Sequence, residues 1–97
     1  MTIEVRQTNE FRNWLQHLKD ANAVARIVAR IRRMELGNLG DSKSLGGGLR
    51  ELRVEYGPGY RVYFVRRGAS LVVLLCGGDK RRQRQDIERA LELAKEV

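Results

Sequence analysis

Apolar residues at the start of the chain alternate with polar ones and then change to a helical spacing. Ile3 and Val5 alternate with polar neighbours, which predicts a short strand. Thr8 or Asn9 is then suited to be the N-cap of a helix. The apolar stripe of that helix falls at i, i+3, i+4 and i+7: Phe11, Trp14, Leu15 and Leu18. His17 lies off the stripe, and we interpret it as a surface residue.

A second helix begins after the break at residues 20–22 and ends at Gly37, a residue typical of helix C-termini. Its apolar face is Val24, Ile27, Val28, Ile31 and Met34. The short connection predicts an antiparallel hairpin with the first helix. A basic stripe runs along the second helix at i, i+4 and i+7: Arg26, Arg30 and Arg33. We interpret this stripe as a solvated face, with RNA or an acidic partner as the alternative ligand.

Residues 38–48 contain four Gly and two Ser and are predicted to be a loop. The loop lacks the GxxxxGK[ST] pattern of a phosphate-binding P-loop. Its three final glycines, at 46–48, favour a flexible lead-in to the following strand.

From Leu49 the apolar period becomes two, which predicts three further strands. One apolar face comprises Leu52, Val54, Val62 and Phe64, with turns at residues 57–59 and 66–70. Residues 71–76 are apolar on both faces, as in a covered central strand. Residues 77–79 are predicted to turn into a last helix with apolar positions at Ile87, Ala90, Leu91 and Ala94. The order β-α-α-β-β-β-α is a small α+β domain whose antiparallel sheet is covered on one face by the helices.

A chain of 97 residues is expected to form a single domain, 1–97, and is too short for a two-domain enzyme. One cysteine, Cys76, excludes an internal disulfide, and with one histidine it argues against structural zinc, so we expect no metal and no cofactor. No apolar run resembles a signal peptide or a membrane span. We therefore expect a cytoplasmic protein.

The net charge is +7, and 15 of the 19 basic residues are Arg. Arg binds phosphate or carboxylate with two parallel hydrogen bonds and stacks on bases. The charge therefore indicates either a polyanion or an acidic protein as partner, or else only a solvated basic surface.

Residues that oppose each other in an antiparallel pair point to the same face. If the even-numbered apolar residues form the core, then Arg53, Arg61 and Tyr63 share the other face. Two guanidinium groups at close range need a negative partner. Glu51 and Glu55 on the same face are one set of partners, and a bound phosphate is the alternative.

A second cationic cluster, Lys80, Arg81, Arg82 and Arg84, lies at the start of the last helix. Positive charge there opposes the helix dipole, which favours an anion-binding role over a purely stabilising one. Asp79 is placed to cap the helix or to orient an arginine. The strand directions bring Arg61 and Arg81 together, with Arg53 beside them.

Residues 49–53 (LRELR), 59–63 (GYRVY) and 77–80 (GGDK) resemble the RelE/ParE toxin superfamily. They are most similar to its phage-derived, HigB-like addiction module killer proteins. The resemblance spans nearly the whole chain and implies a RelE-like fold and the toxin of a type II toxin–antitoxin pair. It also implies cleavage of messenger RNA on the ribosome and a cognate, helix-turn-helix, HigA-like antitoxin.

The resemblance places catalytic residues at Arg61, Arg53, Lys80 and Arg81. Arg61 and Arg81 would hold the phosphate, and Lys80 or Arg53 would assist proton transfer. The remaining predicted RNA-binding residues are Arg50, Tyr60, Tyr63, Arg82 and Arg84. The late tyrosine of RelE has no match in residues 85–88 (QDIE). We expect Arg61→Ala to abolish growth arrest while leaving the fold intact.

Two other functions are compatible with the sequence. The first is inhibition of DNA gyrase, as in ParE-like members of the superfamily. The second is a basic module that binds an antitoxin or nucleic acid without cleaving anything. The paired Arg53 and Arg61 on one sheet face and the cluster that begins at Lys80 favour RNA cleavage over gyrase inhibition.

Overall fold

The computed structural model describes residues 2–97. The elements in chain order are β1 (Glu4–Gln7), α1 (Asn9–Gln16), α2 (Ala21–Glu35), β2 (Ser42–Gly46), β3 (Leu49–Val54), β4 (Tyr60–Arg67), β5 (Leu71–Asp79), a single 3-10 turn (Lys80–Arg82) and α3 (Gln83–Ala94). The strands form one sheet in the order β1-β5-β4-β3-β2. β1 is parallel to β5, and the other neighbours are antiparallel. No helix within residues 2–97 has the length and apolarity needed to cross a bilayer.

The predicted helix ends are confirmed by their hydrogen bonds. Thr8 Oγ1 accepts from the Phe11 N–H at 3.0 Å, and Asp20 Oδ1 accepts from the Asn22 N–H at 2.9 Å. Gly37, with φ 95°, donates its N–H to the Met34 carbonyl at 2.9 Å. Each bond satisfies a backbone or cap group that the helix itself leaves free.

The loop predicted at residues 38–48 is partly wrong, because β2 occupies residues 42–46 as an edge strand. The sequence pattern did not indicate β2, because an edge strand exposed to solvent carries polar side chains. It therefore lacks the alternation of apolar and polar residues that marks a half-buried strand. Gly46, Gly47 and Gly48 all have positive φ values, 92°, 61° and 83°. They form a tight hairpin turn between β2 and β3, so they are not a flexible lead-in.

The predicted sheet register is confirmed. Leu52 opposes Val62 and Arg53 opposes Arg61 across β3 and β4, so even-numbered and odd-numbered residues face opposite sides. The even side packs under α1 and α2, where Phe11, Ile27 and Met34 are fully buried.

Helices cover both faces of the sheet, and the prediction that they share one face is wrong. α3 packs on the odd-numbered side, with Ala90 and Leu93 buried against Leu75 and Val65. Leu93 takes the core position predicted for Leu91, which is 47% exposed. Because β5 carries apolar side chains on both faces, each face must be buried by other elements.

β5 continues through Gly77 and Gly78 to Asp79, where the sequence predicted a turn. A bulge precedes them, because Tyr63 opposes Cys76 while Phe64 opposes Leu74. The absence of a side chain at each glycine leaves room for a residue from a helix, on one face of the sheet at Gly77 and on the other face at Gly78. A Cβ on Gly77 would overlap the Trp14 ring, and a Cβ on Gly78 would overlap the Asp86 carboxylate.

Replacing Gly77 with Ala is expected to lower the free energy of unfolding by about 1–3 kcal/mol, as overpacking does in a filled core. Trp14 packs on both Phe11 and Tyr60 and cannot move without disturbing them. Urea denaturation measures the change. Gly68→Ala is a useful comparison, because φ is 66° there and nothing lies within 4 Å of the added Cβ. A smaller loss at Gly77 than at Gly68 would contradict the packing argument.

Candidate functional site

Arg61 is the buried centre of the candidate site. It lies on β4 between Arg53 of β3 and Gly78 of β5, on the side of the sheet covered by α3. Its side chain is only 6% exposed. Nη1 donates to the Tyr60 carbonyl at 3.0 Å and lies 3.0 Å from Glu55 Oε1. A guanidinium so deeply buried requires negative partners.

Glu51 is the inner partner of Arg61. It is 2% exposed, and its Oε1 lies 3.8 Å from Arg61 Nε. Its other oxygen accepts from Gln83 Nε2 at 2.6 Å. Gln83 was not predicted as a site residue, because its only signal was a position inside a run of stronger charges. The buried carboxylate therefore connects β3, β4 and the first residue of α3.

Glu55 is the outer partner, and it joins Arg61 to Lys80. Its Oε2 lies 3.7 Å from Lys80 Nζ, and its side chain is 56% exposed. Lys80 is held beside β4, because its N–H donates to the Gly59 carbonyl at 3.0 Å. Two cations distant in sequence thus share one exposed carboxylate.

Arg81 and Asp79 form a separate pair. Asp79 Oδ1 accepts from the Arg81 N–H at 2.9 Å, and Arg81 Nη2 lies 3.1 Å from Asp79 Oδ2. Asp79 therefore both caps the 3-10 turn and orients an arginine. The hydrogen bonds from Arg81 hold the pKa of the Asp79 carboxyl below its usual value. The Arg81 side chain is 81% exposed.

Arg53 shares the sheet face of Arg61 but turns away from it. Its Nη2 lies 2.7 Å from Asp41 Oδ1, in the segment before β2. Its Nε is buried without a hydrogen-bond partner in the described residues. Arg53 therefore borders the candidate site without contacting the Glu55 bridge.

Three predicted RNA-binding residues are either buried or on the other face of the sheet. Arg50 opposes Phe64, so it lies on the opposite sheet face, where its Nη2 donates to Ser42 Oγ at 3.1 Å. Tyr60 is 9% exposed and packs edge-on against Trp14. Tyr63 is fully buried beneath α3, and this burial raises the pKa of its hydroxyl. Neither tyrosine presents a ring to a base in this conformation, which corrects the expected stacking roles.

Arg82 and Arg84 are exposed, and neither forms an ion pair with any residue that the structure describes. An open depression of about 570 Å³ at the start of α3 is lined by Lys80, Arg81, Gln83, Arg84, Ile87 and Glu88. The depression is predominantly cationic. It lies at the start of α3, which has no side-chain cap, and the start of a helix attracts anions.

Asp86 packs over Gly78, and its Oδ2 is buried without a hydrogen-bond partner in residues 2–97. Burial raises the pKa of this carboxyl. Because the folded-state pKa lies above the unfolded value, ionised Asp86 disfavours the folded state, and protonation relieves this.

Asp86→Asn is therefore expected to raise the melting temperature at neutral pH. The gain should shrink as the pH falls through the raised pKa, because the wild-type carboxyl is then protonated too. Melting curves of both proteins at neutral and acidic pH measure the difference. A variant less stable than wild type at neutral pH would show that the carboxylate is satisfied in solution.

The predicted open pocket of free guanidinium groups is not what the structure contains. Arg61, Lys80, Arg53 and Arg81 each have a carboxylate partner. The partners differ in exposure, since Glu51 is buried and Glu55 is exposed. A phosphate that displaced Glu55 would meet Arg61 Nη1 and Lys80 Nζ together.

Comparison with known proteins gives matches of three kinds. The model of the phage-derived Gp49-like protein family matches residues 13–96. An uncharacterized protein of Haemophilus influenzae is 50% identical over 97 residues, covering 100% of this chain and 98% of that protein. A chain in the crystal structure of the toxin–antitoxin complex RelBE2 from Mycobacterium tuberculosis is 22% identical, with a TM-score of 0.66. The match covers 82% of this chain and all of that one. This likeness confirms the RelE-like fold expected from the sequence.

Proposed function

This chain belongs to the phage-derived Gp49-like family, and we propose that it is the toxin of a toxin–antitoxin pair and cleaves messenger RNA on the ribosome. The observation that carries the proposal is the Glu55 bridge. One exposed carboxylate neutralises Arg61 and Lys80, which approach it from different elements. A phosphodiester is also an anion with two free oxygens, and it fits the same pair of cations.

The chemistry needs no nucleophile from the protein. The ribose 2′-oxygen attacks the adjacent phosphorus, a 2′-O–P bond forms, and the bond from phosphorus to the 5′-oxygen breaks. The products are a 2′,3′-cyclic phosphate and a 5′-hydroxyl. Arg61 and Lys80 stabilise the charge on the phosphoryl oxygens and hold the reacting atoms in line.

Proton transfer completes the step. The 2′-hydroxyl loses its proton to water, and the departing 5′-oxygen gains one. Lys80 is better placed than Arg53 to donate that proton, because Arg53 is held by Asp41. Arg81 is exposed and, within residues 2–97, pairs with Asp79 alone, so it is available for a further phosphate contact.

An antitoxin is the second proposed partner. The solved chain with the similar fold is part of a toxin–antitoxin complex. The charge of +7 favours an antitoxin with an acidic segment that lies across the basic surface of this protein. We propose a helix-turn-helix, HigA-like protein encoded beside this one, and action in the cytoplasm, where ribosomes translate.

Brief induction in bacterial cells tests the proposed function. The expected result is growth arrest together with new RNA ends inside translated messages, each with a 2′,3′-cyclic phosphate. Growth arrest with intact messages and altered plasmid supercoiling would instead identify a gyrase inhibitor. Salt-sensitive RNA binding without new ends would identify a binding module without activity.

A further inference from the structure

A second cavity lies between α2 and the end of β3, outside the site built on Arg61. Its volume is about 280 Å³, and its lining is Arg26, Ala29, Arg30, Arg33, Val54, Glu55 and Tyr56. The basic stripe predicted along α2 therefore faces a concave surface. This concave surface favours a bound ligand over simple solvation of the three arginines.

The three arginines of this cavity share it with one acidic residue, Glu55, but do not pair with it. No ion pair within residues 2–97 includes Arg26, Arg30 or Arg33. Like charges at this helical spacing lower helix stability by about 0.2–0.5 kcal/mol a pair. Arg33 lies in the last turn of α2, where a cation favours the helix dipole, so the unrelieved repulsion is that between Arg26 and Arg30. An anion from outside the chain would relieve it.

Arg30 has a structural role within the cluster. Its Nη1 donates to the Arg53 carbonyl at 2.9 Å and its Nη2 to the Asp41 carbonyl at 3.4 Å. It also packs over Gly40, where φ is 66° and a Cβ would meet the guanidinium at 2.9 Å. Arg30 thus fastens α2 to the sheet, and Arg26 and Arg33 are left for a ligand.

The Arg26 guanidinium lies over the ring of Tyr56. The Arg26 guanidinium carbon lies 4.5 Å from the centroid of the Tyr56 ring. Guanidinium planes and aromatic rings are the surfaces on which proteins stack single-stranded RNA bases. An acidic peptide would use the charges but not this planar surface.

The cavity and the candidate site share Glu55. This residue lines the cavity, and its carboxylate pairs with both Arg61 and Lys80. We propose that the cavity is a second RNA subsite. Arg26 and Arg33 hold a backbone phosphate next to the cleaved bond, and the pair of Arg26 and Tyr56 receives a base. This inference rests on the proposed function. It adds the place where the RNA next to the cleaved bond binds.

The test measures the affinity of the purified protein for 2′-O-methyl RNA, which lacks the nucleophile. One RNA has about ten nucleotides and spans both subsites, and the other is a dinucleotide, whose single phosphodiester occupies only one. The variant is Arg26→Gln with Arg33→Gln. The matched control is Arg12→Gln with Arg32→Gln, which removes two exposed cations that do not line the cavity.

The expected result is about a tenfold weaker affinity of the cavity variant for the long RNA. The slope of log affinity against log salt concentration should become shallower by about 0.7 for each phosphate that the variant no longer binds. The affinity for the short RNA and all affinities of the control should change much less.

Equal behaviour of the variant and its control would overturn the subsite. So would a variant that loses affinity only for polyglutamate, because the cavity would then dock an acidic protein. Cleavage assays on ribosomes that carry messenger RNA separate this inference from the proposed function. If wild type cleaves RNA while the variant matches its control, only the subsite fails. If wild type never cleaves RNA, the proposed function fails, and the binding data still decide the subsite.

Discussion

Arg61→Ala is expected to lower the free energy of unfolding by about 3–5 kcal/mol, because it leaves a buried carboxylate without its cation. Glu51 is 2% exposed and would keep only the hydrogen bond from Gln83. This corrects the expectation that the substitution leaves the fold intact. Loss of growth arrest by Arg61→Ala alone would therefore not distinguish a missing phosphate contact from an unfolded protein.

A double variant separates the two causes. Glu51→Gln with Arg61→Gln removes both buried charges and should recover most of the stability lost in Arg61→Ala. It should still leave messenger RNA uncut, since Lys80 would face the phosphate alone. Urea denaturation and RNA-end mapping measure the two effects. An Arg61→Ala protein as stable as wild type would refute the buried pair, and an active double variant would refute the role of Arg61.

Lys80→Gln is expected to slow RNA cleavage about 100-fold, a typical loss for one group that stabilises transition-state charge. Its side chain is 55% exposed and its partner Glu55 is 56% exposed. Exposed ion pairs contribute about 0–1 kcal/mol, so the melting temperature should barely change. The quantity to measure is the cleavage rate of messenger RNA bound to ribosomes, at a saturating ribosome concentration.

Lys95→Gln is the control for that experiment, because it removes the same charge at the far end of α3. Its cleavage rate should equal the wild-type rate. Equal rates for both variants would exclude Lys80 from the chemistry, and equal slowing would show only a long-range charge effect.

The parts of the fold that follow from local patterns were predictable. Leu52 and Val62 define the register of β3 on β4 through their shared parity, and Thr8 and Asp20 begin the helices as their side chains allow. The edge strand β2 was not predictable, because a solvated strand carries no apolar alternation. The face of the sheet on which α3 packs depends on its tertiary contacts with β5. The spacing of apolar residues along α3 does not determine that face.

The candidate site was only partly predictable. Strand direction correctly brought the residues after β5 to the start of β4, where Tyr60 opposes Asp79. Parity could also have placed Arg50 and Tyr60 on the core face, since both are even-numbered like Leu52. The carboxylate that pairs with each cation could not be predicted from the sequence, because ion pairing depends on the distances between side chains in the folded protein.

The central claim is that a phosphodiester replaces Glu55 between Arg61 and Lys80. The most direct test compares the affinity of wild type and Glu55→Gln for 2′-O-methyl RNA, with Glu35→Gln as a control that removes the same charge on exposed α2 surface. We predict that Glu55→Gln binds several-fold more tightly than Glu35→Gln, and that adding Lys80→Gln removes this gain. Equal affinities for Glu55→Gln and Glu35→Gln, or weaker binding by Glu55→Gln, would contradict the account.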